Sequence, residues 1–165
     1  MELQKQKLLF VNKSPFENPK YAHEGDSCFD VRAWLQDDYT AVDENGVKFY
    51  ELKPLERHLF HTGLYFIIPE HTEIQARPRS GCALKFALCV ANSPGTIDSR
   101  YRGEAGVIAI NLSNETIKVY DGDRIAQMGL YPVYDSTITQ TEQIESIDPN
   151  STERGDTGYG KSGMK

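Results

Sequence analysis

The sequence predicts an all-β domain, and three observations support this prediction. Short segments rich in β-branched and aromatic residues recur at close, regular spacing along the chain. Turn-forming pairs separate several of them, such as Asn45-Gly46 and Asp121-Gly122. No window contains a convincing amphipathic helix of three turns. Many short strands separated by such turns are typical of a sandwich, a jelly roll or a barrel.

The predicted strands follow one another through most of the chain. They span residues 7–11, 29–34, 50–55, 59–68, 73–76, 105–112, 117–120, 125–133 and 137–144. Thr96 and Ile97 are β-formers that begin a further short strand. Residues 82–90 fit either a short helix or a strand. Residues 14–25 are a loop with two prolines, and residues 37–46 are polar.

Length and charge limit the class of protein. A chain of 165 residues is expected to form one domain with a real core. The net charge of −6 argues against a non-specific grip on DNA or RNA, which requires clustered cations. No apolar run approaches the roughly 18 residues of a membrane span, and the polar N-terminus does not resemble a signal peptide. We therefore expect a cytoplasmic protein with no direct nucleic-acid or membrane partner.

Cysteine and histidine usage argues against a structural metal site. Cys28, Cys82 and Cys89 are odd in number and form no C-x-x-C pair, which disfavours both a disulfide framework and a zinc site. His58 and His61 form an H-x-x-H pattern, but no third ligand lies nearby in the sequence. A reduced protein without zinc is the expectation.

The most informative stretch is residues 92–104, N-S-P-G-T-I-D-S-R-Y-R-G-E. Asp98 is an isolated carboxylate between an apolar pair and a glycine-containing turn, which makes it a candidate base or metal ligand. Taken alone, the more common role of such an aspartate is to bond the backbone of its own turn.

Two other segments carry weaker signals for an anion site. In A-R-P-R-S-G-C-A-L, residues 76–84, a guanidinium, a hydroxyl and exposed amides converge at Arg79, Ser80 and Gly81, which suits a phosphate or a carboxylate. In G-D-R-I-A-Q, a turn leads into a strand with one inward amide, Gln127. The first pattern is common on protein surfaces, and the second is ambiguous alone.

Residues 151–165 differ from the rest because they are rich in glycine and cannot pack a core. A disordered tail is one interpretation. The other is a segment that closes over an anion and a flat ring, because Arg154, Tyr159 and Lys161 lie among the glycines.

Considered together, five blocks resemble the trimeric dUTPase family. They are D-S-C-F-D-V-R-A (26–33), P-R-S-G (78–81), G-T-I-D-S-R-Y-R-G-E (95–104), G-D-R-I-A-Q-M (122–128) and R-G-D-T-G-Y-G-K-S-G (154–163). The resemblance implies a distorted jelly-roll-like β-barrel subunit for residues 1–150. It also implies that residues 151–165 are a flexible glycine-rich tail that closes the active site.

The resemblance implies hydrolysis of dUTP to dUMP and pyrophosphate, with Mg²⁺ on the triphosphate. This reaction keeps uracil out of DNA and supplies dUMP for thymidylate synthesis. Asp98 would activate the water that attacks the α-phosphorus, since a carboxylate is ionised at neutral pH and can accept the proton. The residues assigned to the phosphates by resemblance are Arg79, Ser80, Gly81, Gln127, Arg154 and Ser162 with Gly163, and Gly160 is a further substrate-binding residue.

The nucleoside half of the site is also assigned by resemblance. The amide of Asn92 can both donate and accept, so it would read the uracil edge. Tyr101 would lie under the deoxyribose and block a 2′-hydroxyl, and Tyr159 would stack on the base. The turn and strand around Gly95 to Ile110, with Gly95, Thr96 and Ile97 as substrate-binding residues, would supply backbone groups and leave no space for a thymine methyl.

Metal and assembly follow from the same resemblance. Asp30 would contact Mg²⁺ through water, while the phosphates hold the ion. The family usually has glycine where this chain has Cys28, two residues before Asp30. We expect a homotrimer in which the tail of one chain closes a pocket built by two others.

Two alternatives remain at this stage. The dCTP deaminases share the fold, but they carry a catalytic glutamate where this chain has Asn111. An asparagine cannot relay the proton, so deamination is disfavoured. The second alternative is a non-catalytic regulatory protein on the same fold, and the role of the insertion at residues 37–52 stays open.

Overall fold

The computed structural model describes residues 6–140 together with Asn150 and Thr152. This part of the chain contains twelve strands and one short helix. The elements are β1 (Leu9–Asn12), β2 (Phe29–Arg32), β3 (Ala41–Val42), β4 (Lys48–Leu52), β5 (Arg57–Phe60), β6 (Leu64–Ile67), β7 (Thr72–Pro78), α1 (Ser80–Phe86), β8 (Leu88–Val90), β9 (Gly95–Asp98), β10 (Val107–Asn111), β11 (Ile117–Tyr120) and β12 (Arg124–Pro132). The predicted all-β fold is confirmed.

The chain divides into two units, Met1–Tyr134 and Asp135–Lys165, and every one of these elements lies in the first. Within the described residues the strands form four antiparallel sheets, in the orders β2-β12-β7-β9, β5-β10-β8, β11-β4-β3 and β1-β6. The described part of the chain contains no helix long and apolar enough to cross a membrane.

Alternation along the strands separates the core from the outer faces. In β7, Ile74 and Ala76 are buried, whereas Glu73, Gln75 and Arg77, which alternate with them, are half-buried on the opposite face. The largest side chains with almost no exposure are Phe60, Leu35, Leu52, Ile74, Ile125, Met128, Val31, Val107 and Val119. These apolar side chains from all the larger sheets form one core, which fixes the strands that carry the site.

Two predicted segments are divided in the structure. Residues 59–68 form β5 and β6 rather than one strand, because the backbone turns at Gly63 with φ of +73°. A side chain at that position would lie 2.6 Å from the backbone nitrogen of Ser14. Residues 82–90 contain both of the predicted alternatives: α1 ends at Phe86, the next residue, Ala87, has a left-handed conformation, and β8 follows.

The insertion at residues 37–52 contributes a hairpin. β3 pairs with β4, and β4 pairs with β11. The Asp43 carboxylate accepts the amides of Asn45 and Val47, and Gly46 has φ of +78°, so the Asn45-Gly46 turn is confirmed. No strand occurs at residues 137–140, so that part of the strand predicted at 137–144 was wrong, and 141–144 fall outside the described residues.

Candidate active site

A cavity of about 420 Å³ opens beside β9 and β10. Its walls include the predicted base Asp98 and five of the residues predicted for the nucleoside half of the site: Asn92, Gly95, Thr96, Ile97 and Tyr101. The β9 strand positions four of these residues through its antiparallel pairing with β7. The structure therefore brings together the residues of the most informative stretch.

Asn92 presents an unused amide to this cavity. Its side chain is exposed and has no hydrogen-bond partner within the described part of the chain. Gly95 makes room for it, because a Cβ at Gly95 would lie 3.2 Å from Asn92 Nδ2 and 3.4 Å from Oδ1. An amide with a free donor and a free acceptor can pair with the edge of a base.

Asp98 ends β9 with an exposed side chain. The turn that follows is closed by its backbone, since the Asp98 carbonyl accepts the amide of Tyr101 at 3.0 Å. Among residues 6–140, 150 and 152, nothing donates a hydrogen bond to the Asp98 carboxylate. The turn-capping role that is more common for an isolated aspartate is therefore wrong here, and the carboxylate is available to a ligand or a water molecule.

The Tyr101 side chain is anchored through its hydroxyl. Its hydroxyl donates to the backbone carbonyl of Glu104 at 3.1 Å, and its side chain is 48% exposed. The ring lies against Gly103, where a Cβ would approach the hydroxyl oxygen to 2.3 Å. Glycine at this position is therefore required for the ring to occupy its place.

Glu104 is a cavity residue that the sequence analysis missed. Its Oε1 accepts the amides of Thr62 at 2.9 Å and Gly63 at 2.7 Å, and its Oε2 lies 2.8 Å from His61 Nδ1. Burial acts to raise the pKa of the Glu104 carboxyl, but the Gly63 amide, His61 and the Thr62 amide outweigh it, so the pKa is below its ordinary value. Glu104 could have been recognised from the sequence as a carboxylate three residues after Tyr101 in the same motif.

A second group of predicted residues surrounds Asp30. Asp30 Oδ1 accepts Arg79 Nε at 2.8 Å, and Oδ2 lies 3.2 Å from a guanidinium nitrogen of Arg124. Arg79 also donates to the carbonyl of Arg124 at 3.0 Å. Partial burial acts to lower the pKa of Arg79, but the hydrogen bond and charge of Asp30 outweigh it and raise that pKa. Arg124 is the member of this cluster that the sequence analysis did not single out.

Gln127 supports the same cluster from β12. Its amide donates to the carbonyl of Pro78 at 2.8 Å, just before the chain enters α1. Ser80 and Gly81 form the first turn of that helix, which has no side-chain cap. The first amides of a helix have no partner within it, so those of Ser80 and Gly81 are left for solvent or a ligand.

The two groups lie apart within one chain. Asp98 pairs with Glu73 and Gly95 pairs with Ala76, so β9 runs away from the Pro78 end of β7. Pro78 is five residues beyond Glu73, which corresponds to about 17 Å along a strand. The nucleoside cavity and the arginine cluster are therefore separate features of the subunit.

The described residues fit Mg²⁺ only if water and phosphate oxygens supply most of its ligands. Among the described residues no group of three or more His, Cys, Asp or Glu side chains could hold a metal. Asp30 is a single carboxylate with two guanidinium neighbours, which suits contact with a hydrated ion on phosphate oxygens rather than a protein cage. The H-x-x-H histidines contact different carboxylates, His58 that of Asp38 at 3.0 Å and His61 that of Glu104.

Other predicted residues do not join these groups in the described structure. Arg154, Tyr159, Gly160 and Ser162 lie outside the described residues. Asn111 is fully buried, where its amide donates to the carbonyls of Leu52 and Glu115 and its oxygen accepts from Ser113. Asn111 is therefore a structural residue and does not line the nucleoside cavity.

Comparison with known proteins identifies relatives of the whole chain. The dUTPase family model matches residues 15–163. The deoxyuridine 5′-triphosphate nucleotidohydrolase of Finegoldia magna is 42% identical over 153 residues, which cover 93% of this chain and 99% of the relative. The match therefore covers almost the full length of both proteins.

Solved structures share the fold. A mutant dUTPase of Staphylococcus bacteriophage 80alpha with dUpNHpp has a TM-score of 0.74 at 24% identity, covering 97% of this chain and 100% of that one. A mutant dUTPase from phage phi11 of S. aureus, described with the coordination of a structural Mg(II) ion, has a TM-score of 0.67 at 21% identity, covering 85% and 99%. The predicted jelly-roll-like β architecture is confirmed, and the sequence matches show that the chain belongs to the dUTPase family.

Proposed function

We propose that this chain is a dUTP diphosphatase that hydrolyses dUTP to dUMP and pyrophosphate, with Asp98 as the catalytic base. The observation that carries the proposal is that the Asp98 carboxylate and the Asn92 amide line the same cavity and that neither has a partner among the described residues. The Finegoldia magna relative, 42% identical, is named as a deoxyuridine 5′-triphosphate nucleotidohydrolase. In the cell, we expect the enzyme to be cytoplasmic. Its reaction would keep uracil out of DNA and supply dUMP for thymidylate synthesis.

The nucleoside is selected by hydrogen bonding and by shape. The Asn92 amide pairs with the uracil edge, and a site with such polar groups rejects a mismatched base because its donors and acceptors would stay unpaired. Thr96 and Ile97 close the cavity against a methyl group on the base. Tyr101 lies against the sugar and excludes a 2′-hydroxyl.

The chemical step is an in-line displacement at the α-phosphorus. Asp98 orients a water molecule and takes its proton as the oxygen–phosphorus bond forms. The bond between the α-phosphorus and the bridging oxygen breaks, and pyrophosphate leaves with that electron pair. Phosphoryl chemistry of this kind depends mainly on positioning and on stabilising negative charge.

The phosphates are bound by the cluster around Arg79. Its guanidinium has donors beyond the one bonded to Asp30, and the amides of Ser80 and Gly81 add neutral donors. Gln127 positions this segment through the Pro78 carbonyl. Bound Mg²⁺ would be held mainly by the phosphates, with Asp30 contacting its water, and would neutralise part of the triphosphate charge.

The geometry of one subunit supports a homotrimer with shared sites. Asp98 and Arg79 belong to the same reaction, yet the register of β7 and β9 separates their ends of the sheet by about 17 Å. A second chain therefore supplies the phosphate cluster beside the nucleoside cavity of the first. The tail of a third chain, with Arg154, Tyr159, Gly160 and Ser162, closes the site.

A pyrophosphate-release assay across dUTP, dCTP, dTTP and UTP, with and without Mg²⁺, tests the proposal. We expect release from dUTP far above the other three, and faster release with Mg²⁺. Ammonia from dCTP would support a deaminase instead, although no observation favours that activity, since Asn111 is buried and fully hydrogen-bonded. Absence of turnover with all four nucleotides would contradict the proposal.

A further inference from the structure

We propose that Glu104, bound by His61, is the positioning residue that holds the Tyr101 ring against the sugar of the nucleotide, where it excludes a 2′-hydroxyl. The inference rests on the proposed function, because it concerns how the chain discriminates deoxyribose from ribose. It deepens that function by assigning a role to two residues of the cavity wall, Glu104 and His61.

The ring of Tyr101 has little support of its own. Nearly half of the side chain is exposed, and its hydroxyl bonds only to the backbone carbonyl of Glu104 among the described residues. The ring lies against Gly103, which has no side chain that could pack on it. Its position therefore depends on where the backbone of Glu104 lies.

The Glu104 carboxylate fixes that backbone to the connection between β5 and β6. Two consecutive amides, those of Thr62 and Gly63, donate to the same carboxylate oxygen. The positive φ of Gly63 belongs to the turn that presents these amides. The backbone here also bridges to Tyr65, and the Ala105 amide donates to the Leu64 carbonyl. Hydrogen bonds to an ionised acceptor are about twice as strong as neutral ones, so the Glu104 carboxylate adds the charged part of the attachment of the segment that carries Tyr101.

His61 completes the attachment of the Glu104 carboxylate. Its Nδ1 lies 2.8 Å from the second carboxylate oxygen, so that each oxygen of Glu104 has a donor. The imidazole donates from Nδ1 either as the imidazolium or as the neutral Nδ1–H tautomer. A carboxylate bound in this way can stand in the wall of a nucleotide cavity without directing a free negative charge at the phosphates.

Sugar discrimination is therefore expected to depend on Glu104. Excluding a 2′-hydroxyl is steric, and a ring that can move would admit ribose. The Glu104→Ala variant is expected to reduce the preference for dUTP over UTP, measured as the ratio of kcat/KM values, by roughly tenfold. The kcat for dUTP should change less, because Asp98 is held separately by the pairing of β9 with β7.

Conservative and partial variants distinguish positioning from a general loss of stability. Glu104→Gln keeps an oxygen that can accept the Thr62 and Gly63 amides, so it should retain most of the preference. His61→Ala removes one donor of three and should reduce the preference by roughly threefold. Glu56→Ala is the matched control, because the Glu56 carboxylate also accepts a backbone amide, that of Lys53, and a side-chain donor outside the cavity.

The experiment measures kcat/KM for dUTP and UTP, binding of dUMP and UMP by calorimetry, and thermal unfolding for each variant. Tyr101→Phe removes the same hydroxyl link, so its effect and that of Glu104→Ala should not add in the double variant. Both a lowered dUTP preference in Glu104→Ala and a retained preference in Glu56→Ala are expected.

Two results would overturn the inference. One is an unchanged dUTP preference in Glu104→Ala and His61→Ala with a loss of stability like that of Glu56→Ala. The other is full additivity with Tyr101→Phe. Wild-type turnover of dUTP is measured first, so failure of the proposed function itself would be recognised before any variant is compared.

Discussion

Asp98 and Glu73 lie opposite each other in the antiparallel pair of β9 and β7. From Glu73 the β7 strand runs on for five residues to Pro78, which precedes Arg79. In one chain the proposed base, Asp98, and the proposed phosphate-binding residue, Arg79, therefore lie at different ends of the same sheet. This separation along β7 supports the proposal that the reacting groups come from different copies of the chain.

Mixed subunits test this arrangement. We expect Asp98→Asn and Arg79→Ala to be nearly inactive alone but to regain activity when the two chains are unfolded and reassembled together at equal amounts. If a site takes Asp98 from one chain and Arg79 from the next, about a quarter of the mixed sites contain both native residues. Pyrophosphate release from the mixture is the measurement, with each variant reassembled alone as the control. Activity no higher than the controls would mean that both residues act within one chain.

Gly95 is expected to set the place of the Asn92 amide. Its backbone conformation accepts alanine, but the added Cβ would lie 3.2 Å from Asn92 Nδ2 and displace the side chain. The Gly95→Ala variant should raise KM for dUTP by about tenfold, with a smaller effect on kcat and on melting temperature. Asn92→Ala should have a similar effect, and the double variant should be little worse than either. A normal KM in Gly95→Ala would show that this amide does not bind the base.

Asn111 should matter for stability rather than for chemistry. Replacing it with alanine leaves the carbonyls of Leu52 and Glu115 and the amide of Ser113 without their buried partner. We expect Asn111→Ala to lower the free energy of unfolding by about 3 kcal/mol, measured by denaturant titration. Asn114→Ala is the matched control, since Asn114 is exposed in the same turn, and its effect should be within about 0.5 kcal/mol. Equal effects of the two substitutions would contradict this interpretation.

The Glu104 carboxylate should make stability depend on pH in the acid range. Folding lowers its pKa, so the unfolded chain binds the proton more tightly than the folded chain. The stabilisation is complete above the ordinary carboxyl pKa of about 4.3 and is lost as the pH falls through the lower value of the folded state.

The melting temperatures of the wild type and Glu104→Gln measure this contribution. At pH 7 the wild type should be more stable, by about 2 kcal/mol, because glutamine offers an uncharged acceptor. The difference should shrink as the pH is lowered from 5 towards 3. A difference that stays constant over this range would mean that ionisation of Glu104 does not contribute.

Much of the fold was predictable because local chemistry determines it. The alternation of β7 and the Asn45-Gly46 turn have the structures that their sequences indicate. The division of residues 59–68 was not predicted, because the space that requires a glycine at Gly63 is set by Ser14, which is distant in sequence. Such contacts leave no trace in local periodicity.

The candidate site shows the same limit. Asn92, Asp98 and Tyr101 are close in sequence, and the structure brings them into one cavity. The bonds of Glu104 to the Thr62 and Gly63 amides join residues about forty positions apart, so only the fold reveals them. The resemblance assigned Asp30 to the metal, but its two arginine partners become visible only in the folded chain.

The most direct test of the account is the Asp98→Asn variant in complex with dUTP. Asparagine keeps the size of the side chain but cannot take the proton from water, so we expect dUTP to bind with near-normal affinity while pyrophosphate release falls by about 10²–10⁴. Calorimetry with dUTP and a release assay on the same preparation measure both quantities. Turnover close to that of the wild type would show that Asp98 is not the base and would contradict the central claim.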